Sequence, residues 1–93
     1  MRLRPVEDAM IKRSKLFGTK TRVTFSIPAD EPSGVVSVVG TFNDWQPGTH
    51  EMQVRKNGTR TVSVPLEPGD YQFRYLATGG VWFDDPEGSE LRL

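Results

Sequence analysis

Val35-Val36-Ser37-Val38-Val39-Gly40-Thr41-Phe42-Asn43-Asp44-Trp45-Gln46-Pro47-Gly48 decides how the chain is read. The stretch opens as a short apolar run, which predicts a buried strand over Val35–Val39. It then leaves that pattern at Gly40 and reaches a tryptophan directly before Gln46, Pro47 and Gly48, which are turn-forming surroundings. A core tryptophan sits inside a strand pattern. One placed in a loop is expected to be partly wet, where its flat apolar face suits binding.

Alternation of period two surrounds this stretch. Thr21, Val23, Phe25 and Ile27 alternate with Arg22, Thr24 and Ser26, and Pro28 stops the strand. Residues 29–34 read as a loop. His50–Lys56 reads as a third strand, with Met52 and Val54 on one side. Lys56-Asn57-Gly58-Thr59 predicts a two-residue hairpin turn with positive φ at Asn57 and Gly58. Val62, Val64 and Leu66 form the next strand, and Glu67-Pro68-Gly69-Asp70 turns it. Tyr71, Phe73 and Tyr75 then alternate with Gln72, Arg74 and Leu76. Thr78-Gly79-Gly80 turns again into Val81-Trp82-Phe83, which ends at Asp84-Asp85-Pro86. Six to seven short strands, with turns roughly every ten residues, predict an all-β antiparallel sandwich. One apolar side per strand suits two sheets facing a shared core.

Composition narrows the class. At 93 residues there is room for one domain. Without cysteine there is neither a disulfide framework nor a thiolate metal site, which fits a reducing, cytoplasmic setting. Apolar runs of four or five residues are too short for a membrane span or a signal peptide. The net charge of zero is unevenly spread. Residues 1–22 hold seven cations and two carboxylates, a net of +5 that residues 23–93 cancel. Residues 1–19 are therefore expected as a basic amino-terminal arm, either a short helix over Ala9–Phe17 or disordered. The sandwich itself is expected over 20–93.

Chemistry is scarce. His50 is the single histidine and reads as a surface residue. No serine lies in a Gly-x-Ser-x-Gly elbow. Asp84 and Asp85 are neighbours on an extended segment and point to opposite faces, unlike a glycosidase pair, so they read as a strand terminator. No catalytic residue, metal site or cofactor is expected. Binding is better supplied. If Tyr71, Phe73 and Tyr75 face inward, Arg74 faces outward with Gln72 and Leu76. The Gly79-Gly80 turn returns the chain so that Trp82 can lie near Arg74. Periodicity leaves open whether Trp82 or Phe83 points out. An outward indole beside a guanidinium suits a sugar, whose C–H face lies on the ring while its hydroxyls meet donors. A net gain of roughly −4 to −7 kcal/mol corresponds to millimolar to tens-of-micromolar affinity.

These residues resemble a known family. Gly40-Thr41-Phe42-Asn43-Asp44-Trp45 resembles the Gly-Ser/Thr-Phe-Asn-x-Trp signature of carbohydrate-binding module family 48, the glycogen-binding domains. Such domains occur in the β subunit of AMP-activated protein kinase and at the amino terminus of isoamylases and branching enzymes. Leu66–Tyr75 resembles the family's Leu-Pro-x-Gly-x-x-x-Tyr-Lys-Phe segment, and Gly80–Pro86 its Gly-x-Trp-x-x-Asp-Pro. The resemblance implies an immunoglobulin-like, early-set sandwich that binds glycogen or another α-1,4-glucan. It implies Trp45 and Trp82 as stacking platforms and puts Arg74 where the family has a sugar-binding lysine. Asn43, Gln72 and Leu76 stand beside them as further candidates. The leading expectation is a non-catalytic, stand-alone module that localises or regulates a partner enzyme of glycogen metabolism.

Two departures weigh against a full carry-over. Only Glu87–Leu93 follow the Asp-Pro, so the last strand and one side of the site are expected to be altered or missing. A bare edge there would favour weak self-association. No catalytic barrel follows either. The competing expectations are an early-set sandwich that binds protein and not sugar and, disfavoured by the acidic body, nucleic-acid binding through the basic arm.

Overall fold

Period-two alternation becomes two facing sheets in the computed structural model, which describes residues 9–30 and 34–93. Arg2, Arg4, Glu7 and Asp8 of the basic arm, and Glu31-Pro32-Ser33 of the first loop, lie outside the described residues. One sheet has the order β1 (Met10–Lys15), β2 (Thr21–Pro28), β5 (Thr59–Leu66), β4 (Gln53–Val54). The other has the order β3 (Val36–Gly40), β6 (Asp70–Ala77), β7 (Val81–Phe83), and β8 (Glu90–Arg92) also pairs with β6. Every pairing is antiparallel. The described residues form the expected all-β, early-set-like sandwich, with eight strands where six to seven were read.

The inward residues are the alternating apolar ones. Val23, Phe25 and Ile27 from β2 are sealed from solvent, as are Val36 and Val38 from β3 and Phe73 and Tyr75 from β6. Phe25 and Phe73 meet across the sheets with ring centroids 5.1 Å apart. Tyr75 stacks on Phe83 at 5.2 Å. Each such side chain contributes about 1.5–3 kcal/mol through burial.

Four sequence expectations change. Residues 10–15 are not helical. They pair with β2 over the whole register from Met10↔Ser26 to Lys15↔Thr21. An isolated helix this short is marginal. The strand instead shares β2's ladder, and Ile11 packs against the core opposite Phe25. The third strand shrinks to Gln53–Val54, with Met52 buried and Val54 exposed. The Asn-Gly turn has positive φ at Gly58 alone. Gly58 N donates to Arg55 O and Arg55 N to Thr59 O, so Lys56-Asn57-Gly58 is a three-residue loop with glycine in the left-handed position. Finally, the last strand is present. Leu91 sits opposite Tyr71 and is buried. Gln72 N and O face Thr41 on the β3 side, while Phe73 N donates to Ser89 O. β8 therefore continues β7 along the same edge of β6 and occupies the edge expected to be bare. The argument for self-association through that edge falls with it.

Asp85 anchors the turn between β7 and β8. It is buried, and its Oδ2 accepts from Tyr75 Oη at 2.9 Å. Its Oδ1 accepts from Glu87 N at 3.0 Å. Burial first, and then Asp85, push the Tyr75 phenol far above its ordinary pKa. The Asp-Asp-Pro segment ends the strand as read, and its two carboxylates do point apart.

Candidate functional site: the outer face of the β3-β6-β7 sheet

The loop after β3 is built on one carbonyl and one side chain. Gly40 O accepts from Asn43 N at 3.1 Å and from Trp45 N at 2.9 Å. Asn43 Oδ1 accepts from Gly40 N, and its Nδ2 donates to Val38 O and to His50 Nδ1. Both amide hydrogens are thus used inside the loop. Asn43, a candidate sugar ligand by sequence, clamps the loop that presents Trp45.

That loop carries strain. Asp44 has φ 56° and Trp45 φ 58°, in the left-handed region where a non-glycine residue costs about 1–2 kcal/mol. Strained backbone held by its surroundings is a mark of functional loops. Trp45 remains 37% exposed. Its backbone hangs from Gly40, which pairs with Phe73 of β6, and the preceding pair is Val39↔Arg74.

The outer face of β6 and β7 carries the other candidates. Arg74 and Leu76 alternate with the buried Phe73, Tyr75 and Ala77. Trp82 is 43% exposed and Phe83 is buried, so the indole is the outward ring. Trp82 pairs with Leu76, which puts Arg74 on its diagonal. The Arg74 guanidinium carbon lies 5.3 Å from the indole centroid, in cation–π range. Arg74 Nε also donates to Asp84 Oδ1 at 2.7 Å. Leu76 helps line a depression of about 350 Å³ with Pro47, Gly48 and Glu51. Gln72 lies further along β6, in a hollow of about 290 Å³ with Thr41, Glu90 and Arg92. The fold therefore groups Arg74, Trp82 and Leu76, sets the Trp45 loop beside the strand that pairs with Arg74, and turns Asn43 inward.

Sequence reasoning missed two residues. Asp84 was read as a terminator, although counting outward from Trp82 puts it on the same side as the indole. His50 was read as a surface residue. It is half-buried, packed edge-on to Phe42 with ring centroids 5.7 Å apart. Gly40 N–H requires an acceptor and Val38 O a donor, so the Asn43 amide can take only one orientation. His50 Nδ1 must then offer a lone pair, which makes the ring neutral with its proton on Nε2.

This gives a pH prediction. Burial lowers the His50 pKa from 6.5. Below 6.5 the unfolded chain takes up a proton that the folded chain refuses, so stability falls as pH drops through this window. The melting midpoint should therefore fall between pH 7.5 and 5.5 by more than in His50→Gln. The same pH dependence in both proteins would refute the clamp.

Among the described residues, no group of three or more His, Cys, Asp or Glu is placed to hold a metal. No helix there is long and apolar enough to cross a membrane.

Comparison with known proteins gives the family. The 1,4-alpha-glucan branching enzyme GlgB of Cellvibrio japonicus (strain Ueda107) is 39% identical over 62 residues, which cover 60% of this chain and 8% of the enzyme. The chain thus spans less than a tenth of that relative's length. No solved structure matches the chain. The family model described as the glycogen recognition site of AMP-activated protein kinase matches residues 21–89, from the start of β2 to the residue before β8. The chain belongs to this family and is a carbohydrate-binding module.

Proposed function

We propose that this module binds glycogen and related α-1,4-glucans without catalysing their conversion, using Trp45 and Trp82 as stacking surfaces and Arg74 as the central donor. The observation that carries the reading is the outward Trp82 ring with the Arg74 guanidinium 5.3 Å from its centroid. A pyranose lays its C–H face on an indole and offers its hydroxyls to a neighbouring cation. Gln72 and Leu76 flank the platform, and each lines a hollow that a longer chain would reach. Affinity is modest, roughly millimolar to tens of micromolar, because an open surface recovers little beyond the entropy of holding the sugar.

Modest affinity suits localisation, in which the module holds an attached or associated enzyme of glycogen metabolism, in the cytoplasm, near its polymer. The branching-enzyme relative fits that role, since the matching region is a small part of it. Titration of the wild-type chain with maltoheptaose, followed by tryptophan fluorescence, tests the reading. A saturable change together with co-sedimentation with glycogen is expected. Absence of both would sink it.

A further inference from the structure

The Asp84-Asp85-Pro86 segment holds one carboxylate that the fold uses and one that it does not. Asp85 is buried and binds Tyr75 and the following turn. Asp84 points outward with its side chain 52% exposed, and Arg74 Nε at 2.7 Å is its one polar contact among the described residues. The contact is one-sided. It takes the Nε–H of the guanidinium, while the two Nη groups have no hydrogen-bond partner among the described residues. A bidentate pair would instead have used the planar fork that makes arginine a receptor for carboxylate and phosphate.

We propose that Asp84 is a positioning and specificity residue: it holds Arg74 by Nε beside Trp82, leaves the Nη groups for sugar hydroxyls, and makes the platform select neutral over anionic saccharides. The inference rests on the glucan-binding reading above. A lone arginine next to an indole would favour a phosphorylated or carboxylated sugar. With Asp84 at its Nε, an anionic sugar meets a like charge beside the donor it seeks. Specificity then comes from a repulsive group as well as an attractive one. Lysine in this place has no Nε–H on a planar group to be held in this way, so the Arg74–Asp84 pair forms a unit.

A double-mutant cycle tests the unit. Wild type, Asp84→Asn, Arg74→Ala and the double variant are titrated with maltoheptaose and with maltoheptaose carrying a 6-phosphate. Asp84→Asn is expected to weaken binding of the neutral sugar by up to about fivefold, the upper end for an exposed ion pair. It should strengthen binding of the phosphorylated one, which inverts the ratio of the two. Asp84→Glu should restore the wild-type preference, and in the Arg74→Ala background Asp84→Asn should leave the neutral-sugar affinity unchanged. Equal losses in both backgrounds would mean that Asp84 touches the sugar itself, and an unchanged ratio would mean that it selects nothing. Either result overturns the proposal while glucan binding stands. If the wild type binds neither sugar, the glucan reading falls and this inference falls with it.

Discussion

Trp82→Ala should lose about 30-fold or more in maltoheptaose affinity and no longer pellet with glycogen. Aromatic anchors at the centre of a contact typically contribute 2 kcal/mol or more, which is about 30-fold. From a starting point of tens of micromolar to millimolar, this takes binding into the millimolar range or weaker. The fold should survive. Trp82 is 43% exposed, and Phe83, not Trp82, is the β7 residue stacked on Tyr75. Losing its outer contacts and the exposed cation–π contact with Arg74 should cost about 1 kcal/mol. For a domain of this size that lowers the melting midpoint by about 4–8 °C. Trp45→Gly is the sharper companion. Its backbone sits at φ 58°, where glycine is at ease and tryptophan is not. Relief of strain then offsets lost packing, so stability should stay within about 1 kcal/mol while binding collapses. If both variants pelleted with glycogen as the wild type does, the sugar would have to lie elsewhere.

The two tryptophans also show where sequence reading succeeds and where it stops. The alternation through Val23, Phe25 and Ile27, and through Phe73 and Tyr75, survives intact because both strands lie inside a sheet with one face on the core. Parity on β6 was enough to put Arg74 outside. β7 has only three residues, too few for periodicity to choose between Trp82 and Phe83. The edge strands were harder. Of Met10–Lys15 only Ile11 packs against the core, Met10 is exposed and the rest are charged or polar, so nothing in the pattern separates strand from frayed helix. β8 has one buried residue, Leu91. Its order comes from β6, which sequence order places about twenty residues away. The Asn43 clamp was illegible for another reason. It joins Val38, Gly40, Asn43 and His50 through side chains across an aperiodic loop, and hydropathy carries no trace of such contacts. Asp84 becomes legible by parity only once Trp82 is known to face outward and the alternation to continue into the Asp-Asp.

Gly40→Ala should be the most damaging single methyl in the chain. Gly40 has no positive φ to explain it. What it has is a close approach: a Cβ there would lie 2.3 Å from Gln72 O, 2.9 Å from the Phe42 ring and 3.1 Å from Phe73 Cα. Two of these atoms are backbone of β6 and cannot swing aside, and Gln72 O already accepts from Thr41 N at 2.9 Å. To admit the methyl, β3 must draw away from β6 just where Gly40 pairs with Phe73. Overpacking of this kind costs about 1–3 kcal/mol and sometimes more. The upper end is expected here, with the melting midpoint down by about 10–20 °C. The damage reaches the site as well. Gly40 O holds the N–H of Trp45, and Gly40 N holds Asn43 Oδ1. A shifted Gly40 therefore loosens the strained turn that presents the indole, and glucan affinity should fall together with stability. Gly79→Ala is the contrast. It has φ 84° and no atom within 4 Å of its added methyl, so its cost should be only the conformational one of about 1 kcal/mol. Gly79 itself lines neither hollow beside the platform, so maltoheptaose affinity should hold. Thermal melts that rank the two substitutions the other way would show that β3 and β6 do not meet at Gly40 as closely as the Trp45 loop requires.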